Sequence, residues 1–136
     1  MTEYVKRRRL APEERKAVYN KTNGHCAYCG IEITFKQMQV DHVIPINGWH
    51  IPGPDTLDNM LPTCRSCNHY KSRSDLEGFR KMLEDQLHVL MRDNVTYQIA
   101  VRYGLVNPNP QPVVFYFEKL GLSQRRKNDG DSKNHR

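Results

Sequence analysis

The two stretches that decide the fold of this chain are CAYC at residues 26–29 and CRSC at residues 64–67. Each CxxC pair turns back on itself and aims two sulfur atoms at one point. Two such turns supply the tetrahedral four-thiolate shell that suits Zn²⁺, from Cys26, Cys29, Cys64 and Cys67. The alternative is a pair of redox motifs, but neither CxxC opens a helix in a βαβ context. Because a closed four-sulfur shell leaves no position for a substrate, we expect this zinc to be structural.

The 34 residues between the cysteine pairs exceed the spacing of a simple zinc ribbon, so the clamp encloses an inserted unit. Within it, the apolar run of QVDHVIPINGWH (residues 39–50) ends in Asp41-His42 before Pro45 and Gly48 break the chain. Asp41 is a hard oxygen ligand, and the imidazole of His42 exchanges protons near neutral pH. Adjacent residues of a strand point to opposite faces, so we expect one of them to hold a metal and the other to face a water.

The composition indicates a single soluble domain. The chain has 136 residues, of which 38% are hydrophobic and 26% charged, as is ordinary for a globular protein. No apolar run is long enough to span a membrane, and no apolar stretch follows the basic N-terminus as a secretory signal would require. We therefore expect a cytoplasmic protein whose thiols stay reduced and bind metal.

The excess positive charge lies at the two ends of the chain. The formal net charge is +6. Four basic residues stand against Glu3 in residues 1–10, and five stand against Asp129 and Asp131 in residues 121–136, whereas acidic and basic residues balance in between. Basic tails of this kind hold a polyanion such as DNA without reading its sequence. The alternative is that they are only solubilising, disordered ends.

Local patterns predict a mixed helix and strand content. We expect a helix from Pro12 to about Lys21, and one or two short strands within residues 31–46. Residues 47–56 are rich in glycine and proline and read as a loop. A capping box at residues 74–77 predicts a helix to about Arg92, followed by a shorter helix closed by Gly104. The segment VVFYF (113–117) predicts a short strand that docks back on the domain.

Five elements in a fixed order carry a resemblance to a known family. They are CAYC, VDHVIP (40–45), LDNMLPTC (57–64), CRSC and the NHYK that follows it (68–71). This order resembles the HNH endonuclease family, in particular its small zinc-bearing members from phages and mobile elements. The resemblance covers residues 25–71 and implies an α+β fold with a ββα-metal (His-Me finger) core, stabilised by the four-cysteine zinc site and flanked by helices.

The resemblance also implies roles for individual residues. His42 would be the general base, and Asp41 with Asn68 would hold a catalytic Mg²⁺ or Mn²⁺, with His69 as the rival ligand. Asn59 would support His42 by hydrogen bonding to its loop or ring. The candidates for contact with DNA phosphates are Arg65, Lys71 and Arg73.

The expected organisation has four parts. A basic flexible segment spans residues 1–10, the nuclease domain with its zinc clamp spans residues 11–93, a helix and strand extension packs on it over residues 94–120, and residues 121–136 form a basic disordered tail. Trp49 and His50 lie in the variable loop. Trp49 would stack on DNA or pack locally, and His50 would touch DNA or be an exposed loop residue without a role.

The function that follows is a metal-dependent DNA endonuclease in a bacterial or phage-infected cell, with DNA as partner and phage or mobile-element proteins as further partners. Two alternatives stay open. One is a non-catalytic zinc-stabilised module that binds DNA or a protein. The other is a nuclease that cuts only within a larger assembly. The sequence does not indicate an oligomeric state.

Overall fold

The computed structural model describes residues 6–48 and 51–122. The expectations for Trp49, His50 and the basic tail from residue 123 onward fall outside these residues. The helices are α1 (Pro12–Tyr19), α2 (Arg65–Lys71), α3 (Leu76–Glu84), α4 (Gln86–Asp93), α5 (Val95–Arg102) and α6 (Tyr116–Lys119). The strands are β1 (Gln39–His42) and β2 (Met60–Thr63), and 3₁₀ turns occupy Asn20–Thr22 and Leu57–Asn59. No helix in the described part of the chain has the length and apolar character needed to span a bilayer.

A two-stranded antiparallel sheet forms the centre of the fold. β1 pairs with β2 in a register that sets Asp41 opposite Leu61 and His42 opposite Met60. Strand β2 runs directly into α2 through Cys64, and α2 packs against β1. Residues 31–46 thus contain one strand, and its partner comes from LDNMLPTC. The predicted α+β class, with a small sheet, helices and four clustered cysteines, is confirmed.

Two apolar clusters hold the sheet and helices together. One contains the buried rings of Tyr28, Phe79, Phe115 and Phe117 around Leu61. These rings meet both edge to face and stacked, with centroids 5.2 to 6.2 Å apart. The other cluster joins α1 to the sheet and contains Val18, Ile33, Met38 and Met60. The sheet therefore packs against residues from both the N-terminal helix α1 and the C-terminal segment that contains Phe115 and Phe117.

The C-terminal segment docks on the domain as a helix, so the predicted strand at residues 113–117 is wrong. Main-chain N–H groups of Tyr116 and Phe117 donate to the carbonyl oxygens of Tyr28 and Ala27, at 3.0 and 2.8 Å. The helix is favoured because the carboxylate of Glu118 accepts a hydrogen bond from the Phe115 N–H at 2.8 Å and caps the first turn.

Two details of the central helices also differ from the prediction. The N-cap of α3 is Asp75 rather than Ser74, and its side chain accepts from Gly78 N–H at 2.8 Å. The predicted long helix is broken at Asp85 into α3 and α4. The apolar stripe that predicted one long helix packs against two different surfaces: Leu83 of α3 packs on the aromatic cluster, whereas α4 packs against α5. The shorter helix ends as predicted, with Gly104 at φ +74°.

Candidate metal centre and active site

The four cysteines converge at the junction of β2 and α2. Their sulfur atoms all lie within 4.8 Å of one another, and Cys29 Sγ lies 3.8 Å from Cys64 Sγ. Four sulfurs at about 2.3 Å from a tetrahedral Zn²⁺ would lie about 3.8 Å apart, so the cluster fits that ion. The Cys67 N–H also donates to Cys64 Sγ at 3.4 Å, which ties the cluster to the first turn of α2.

The electrostatics of the cluster favour a bound cation. A hydrogen bond from Cys67 lowers the pKa of Cys26 to about 5, whereas burial raises the pKa of Cys29 to about 11. Without a cation, one thiolate therefore forms at the expense of its neighbours. A divalent ion allows all four thiolates to coexist, and its binding displaces the remaining protons.

Asp41 is buried on the face of β1 that meets α2. Its Oδ2 accepts a hydrogen bond from the Tyr28 hydroxyl at 2.6 Å and lies 3.1 Å from Lys71 Nζ. Burial raises the pKa of Asp41, and the nearby Lys71 ammonium opposes that rise. Lys71 is itself fully buried and also donates to the His42 carbonyl oxygen at 3.0 Å. Lys71 is thus the buried ion-pair partner of the Asp41 carboxylate.

His42 is buried on the opposite face of β1. Its Nε2 lies 2.8 Å from Asp55 Oδ1, whereas its buried Nδ1 has no hydrogen-bond partner among residues 6–48 and 51–122. Asp55 is held in turn by Arg8, whose main-chain N–H donates to Oδ2 at 2.9 Å. A basic residue near the N-terminus is thus connected to the imidazole through one carboxylate.

Asn59 fixes the loop that follows His42. Its Oδ1 accepts from Ile44 N–H at 3.0 Å, and its Nδ2 donates to the carbonyl oxygens of Ile44 and Pro54, both at 2.9 Å. Its own carbonyl oxygen accepts from Val43 N–H at 2.9 Å. Through these bonds, Asn59 joins the end of β1 to the segment that carries Asp55.

Asn68 lies on the α2 face that meets β1. Its Nδ2 donates to Gln39 Oε1 at 2.7 Å. Gln39 and Asp41 point to the same face of β1, and Asn68 and Lys71 to the same face of α2, because these are i,i+2 and i,i+3 spacings. Asn68 and Asp41 are therefore neighbours on facing surfaces, whereas His69 is exposed.

A cavity of about 160 Å³ brings part of the predicted site together. Asp41 and His42 both line it, although they lie on opposite faces of the strand, and Arg73 and Arg7 supply positive charge. Asn68 is not among its lining residues. Arg65, at the first position of α2, is exposed.

Sequence reasoning missed four contributors to this site: Asp55, the Tyr28 hydroxyl, Arg7 and Arg8. Asp55 lies in the glycine- and proline-rich loop and Tyr28 lies inside the first CxxC turn, and no motif in the sequence marks either residue. No periodic signal connects Arg8 with Asp55, since the two are separated by 47 positions.

Part of this chain is similar to known proteins. Residues 26–74 match the family model described as HNH endonuclease. A stretch of 54 residues is 35% identical to the CRISPR-associated endonuclease Cas9 of Corynebacterium diphtheriae, covering 40% of this chain but only 5% of that protein. The crystal structure of the Type II-C Cas9 enzyme from Actinomyces naeslundii overlaps with half of this chain and 7% of its own, at a TM-score of 0.44 and 24% identity. Residues 26–74, which contain the cysteine cluster and both strands of the sheet, thus match the model of an HNH endonuclease domain.

Proposed function

We propose that this protein is a metal-dependent DNA endonuclease that hydrolyses phosphodiester bonds. In this proposal His42 is the general base, and Asp41 and Asn68 hold a divalent cation. The observation that carries it is that a buried carboxylate and a buried imidazole, Asp41 and His42, line one cavity inside the HNH segment. Hydrolysis needs a base for the water and positive charge for the phosphate, and the cavity offers groups for both.

The residues beside Asp41 fit a hard cation such as Mg²⁺ or Mn²⁺. The hydrogen bond from Tyr28 and the ion pair with Lys71 both go to Asp41 Oδ2, so Oδ1 is the oxygen that would hold the ion. Asn68 engages Gln39 through its amide nitrogen, which orients its carbonyl oxygen as the second ligand atom. When bound, the ion supplies Lewis-acid charge for the phosphate and the leaving oxygen.

The charges around Asp41 predict that the cation binds together with DNA. The single negative charge of Asp41 is already opposed by the Lys71 ammonium at 3.1 Å. Asn68 adds no charge, so little net negative charge is left for an ion. Mg²⁺ is commonly held by one or two carboxylates plus substrate phosphates. We therefore expect weak binding of Mg²⁺ alone and tighter binding once a phosphate enters the cavity.

Arginines on the cavity wall are the proposed phosphate contacts. Arg73 and Arg7 line the cavity, and Arg65 lies exposed at the start of α2. Lys71 has no exposed surface, and we assign it to the support of Asp41 instead. Affinity that comes from such contacts is salt-sensitive and largely independent of sequence. The resemblance further implies products with a 5′ phosphate and a 3′ hydroxyl, and phage or mobile-element proteins as partners in a bacterial cytoplasm.

The test is nicking of supercoiled plasmid by the zinc-loaded protein, with Mg²⁺ or Mn²⁺ and with or without chelator. His42→Ala is expected to lower the rate by about 100- to 10,000-fold, as loss of a general base does. His88→Ala is the matched control, because His88 is exposed on α4. Cleavage by His42→Ala at the wild-type rate, or no cleavage by the wild type with any divalent ion, would refute the proposal.

The same assay separates the two rival ligands and the non-catalytic alternative. Asn68→Ala is expected to raise the Mg²⁺ concentration needed for half-maximal cleavage, and His69→Ala is expected to leave it unchanged. A zinc-stabilised binding module would instead retain full DNA affinity in His42→Ala and show no nicking at all. Such a module has no use for buried ionisable groups, which are costly to fold, at residues 41 and 42.

A further inference from the structure

The contact between His42 and Asp55 determines which nitrogen of the imidazole carries the proton. Burial acts to raise the pKa of Asp55, but hydrogen bonds from the Arg8 main chain and from His42 outweigh it, and the pKa is lowered. An ionised carboxylate can only accept hydrogen bonds. The 2.8 Å contact therefore requires a proton on His42 Nε2, which leaves Nδ1 of the neutral ring as an unprotonated acceptor.

His42 Nδ1 is a buried acceptor without a donor. It has no hydrogen-bond partner in the described part of the chain, whereas Nε2 on the same ring is fully engaged. Buried polar atoms are nearly always paired, since an unmade bond costs about 1–3 kcal/mol. A water bound beside the ring would donate to Nδ1, and His42 lines the same cavity as Asp41. The orphaned nitrogen thus marks where the base would meet its water.

Asp55 is fixed by groups on both sides of its loop. The Arg8 main-chain N–H donates to Asp55 Oδ2, and Arg8 Nε donates to the Asp55 carbonyl oxygen at 3.2 Å. The Arg8 guanidinium also contacts Glu14 of α1 at 3.1 Å. On the other side, Asn59 Nδ2 holds the Pro54 carbonyl oxygen. A carboxylate fixed in this way can determine the orientation of the ring it touches.

We propose that Asp55 is the positioning residue for His42, holding its ring with the proton on Nε2 so that Nδ1 accepts the proton of the attacking water. In the step, an O–H bond of the water breaks and an Nδ1–H bond forms. The water oxygen bonds to phosphorus, the bond from phosphorus to the leaving oxygen breaks, and solvent protonates that oxygen. The ring then carries two protons, its charge is balanced by Asp55, and it returns one proton to solvent. This inference rests on the proposed function.

The experiment compares Asp55→Asn with Asp58→Asn. Both changes remove one carboxylate charge at constant size, three positions apart, but Asp58 is exposed and contacts Thr56 rather than His42. The first readout is long-range nitrogen–proton correlation NMR of the histidine rings at about pH 8. His42→Ala identifies the His42 signals. This readout needs neither DNA nor Mg²⁺, so it remains valid if the protein does not cleave DNA.

We expect the wild type and Asp58→Asn to carry the proton on Nε2 of His42. In Asp55→Asn the neutral amide can donate as well as accept, so that preference is expected to be lost. The second readout is nicking kinetics. Asp55→Asn should lower kcat by about 10- to 100-fold, the usual effect of losing an orienting partner, with KM within about twofold of wild type. Asp58→Asn should match the wild type in both constants.

Two results would overturn the proposal. One is a wild-type His42 ring protonated on Nδ1, and the other is an unchanged kcat in Asp55→Asn. If Asp55→Asn fails to fold, Asp55→Glu decides: it keeps the carboxylate and should retain the Nε2 proton and a kcat above that of His42→Ala. Absence of cleavage by the wild type together with an Nε2-protonated ring would instead refute only the proposed function.

Discussion

Replacement of Lys71 by methionine distinguishes a buried ion pair from a surface contact with DNA. The Lys71 side chain is 0% exposed, and Nζ lies 3.1 Å from Asp41 Oδ2 and 3.0 Å from the His42 carbonyl oxygen. Removal of one member of a buried pair costs about 3–5 kcal/mol, because the other charge stays buried without compensation. Methionine has a similar length, so the cavity term is small. Since Tyr28 still donates to Asp41, we expect a loss near the lower bound, about 3 kcal/mol.

The pH dependence of that loss has a definite sign. Burial already raises the pKa of Asp41, and Lys71 opposes the rise, so Lys71→Met should raise the pKa further. Between the unfolded and the folded pKa, the folded state binds a proton that the unfolded state lacks. Stability therefore falls as pH rises through this window, and the full penalty is present above the folded pKa. The deficit of Lys71→Met should accordingly grow as the pH is raised above the ordinary range of a carboxyl group.

Urea unfolding of zinc-saturated protein without Mg²⁺ measures this effect. Arg65→Met is the matched control, because it removes one positive charge from an exposed position of the same helix and should change stability by less than about 0.5 kcal/mol. The double variant Asp41→Asn/Lys71→Met should recover most of the loss. The reasoning is refuted if Lys71→Met has the same free energy of unfolding as the wild type and the salt dependence of its DNA binding corresponds to about one fewer phosphate contact.

Three further changes test the zinc clamp, the loop after His42 and the docked C-terminal segment. Removal of zinc by chelation or by Cys67→Ser should unfold the protein, since structural zinc contributes about 10–16 kcal/mol. Circular dichroism and metal analysis measure this effect, and a native spectrum from zinc-free protein would contradict it. Asn59→Ala should lower stability in urea by about 3 kcal/mol, because the part-buried main-chain groups of Ile44 and the carbonyl group of Pro54 lose their partners. An effect below about 1 kcal/mol would show that water replaces them. Phe117→Ala should lower the free energy of unfolding by about 3–5 kcal/mol in the same assay, whereas Val114→Ala, at an exposed position, should hardly change it. Equal effects of the two substitutions would contradict the docking of α6 through Phe117.

The parts of the site that follow from local chemistry were predictable from the sequence. The clustering of the cysteines follows from the CxxC turns, which set each sulfur pair regardless of the rest of the fold. The end of β1 follows from the apolar run that Pro45 and Gly48 terminate. By contrast, β2 contains Pro62 and gives no alternating pattern, and it becomes a strand because it pairs with β1. That pairing is a tertiary effect, and the sequence carries it only through the family resemblance.

Contacts set by the path of a loop were not predictable. Asp55 reaches His42 across 13 positions of a glycine- and proline-rich segment, for which no period applies. Lys71 is an instructive intermediate case. Lys71 lies on α2, and its i,i+3 spacing from Asn68 puts both residues on the face that meets β1. Helical spacing alone therefore favours a Lys71 side chain that faces β1. The prediction that Lys71 contacts a DNA phosphate considered only its charge and not this spacing.

In the proposed mechanism, strand β1 keeps the cation and the base apart while bringing both to one cavity. Asp41 faces α2, where Lys71 and Asn68 lie, and His42 faces the loop of Asp55. An imidazole that gains a proton would be repelled by a cation on the same face, and the alternation of the strand separates the two charges. Because β2 pairs with β1 and runs into α2 at Cys64, the zinc clamp fixes the angle between the strand and the helix. A metal held by the four cysteines would thereby help to set the distance between Asp41 and Asn68, and its contribution to catalysis in this mechanism would be positional.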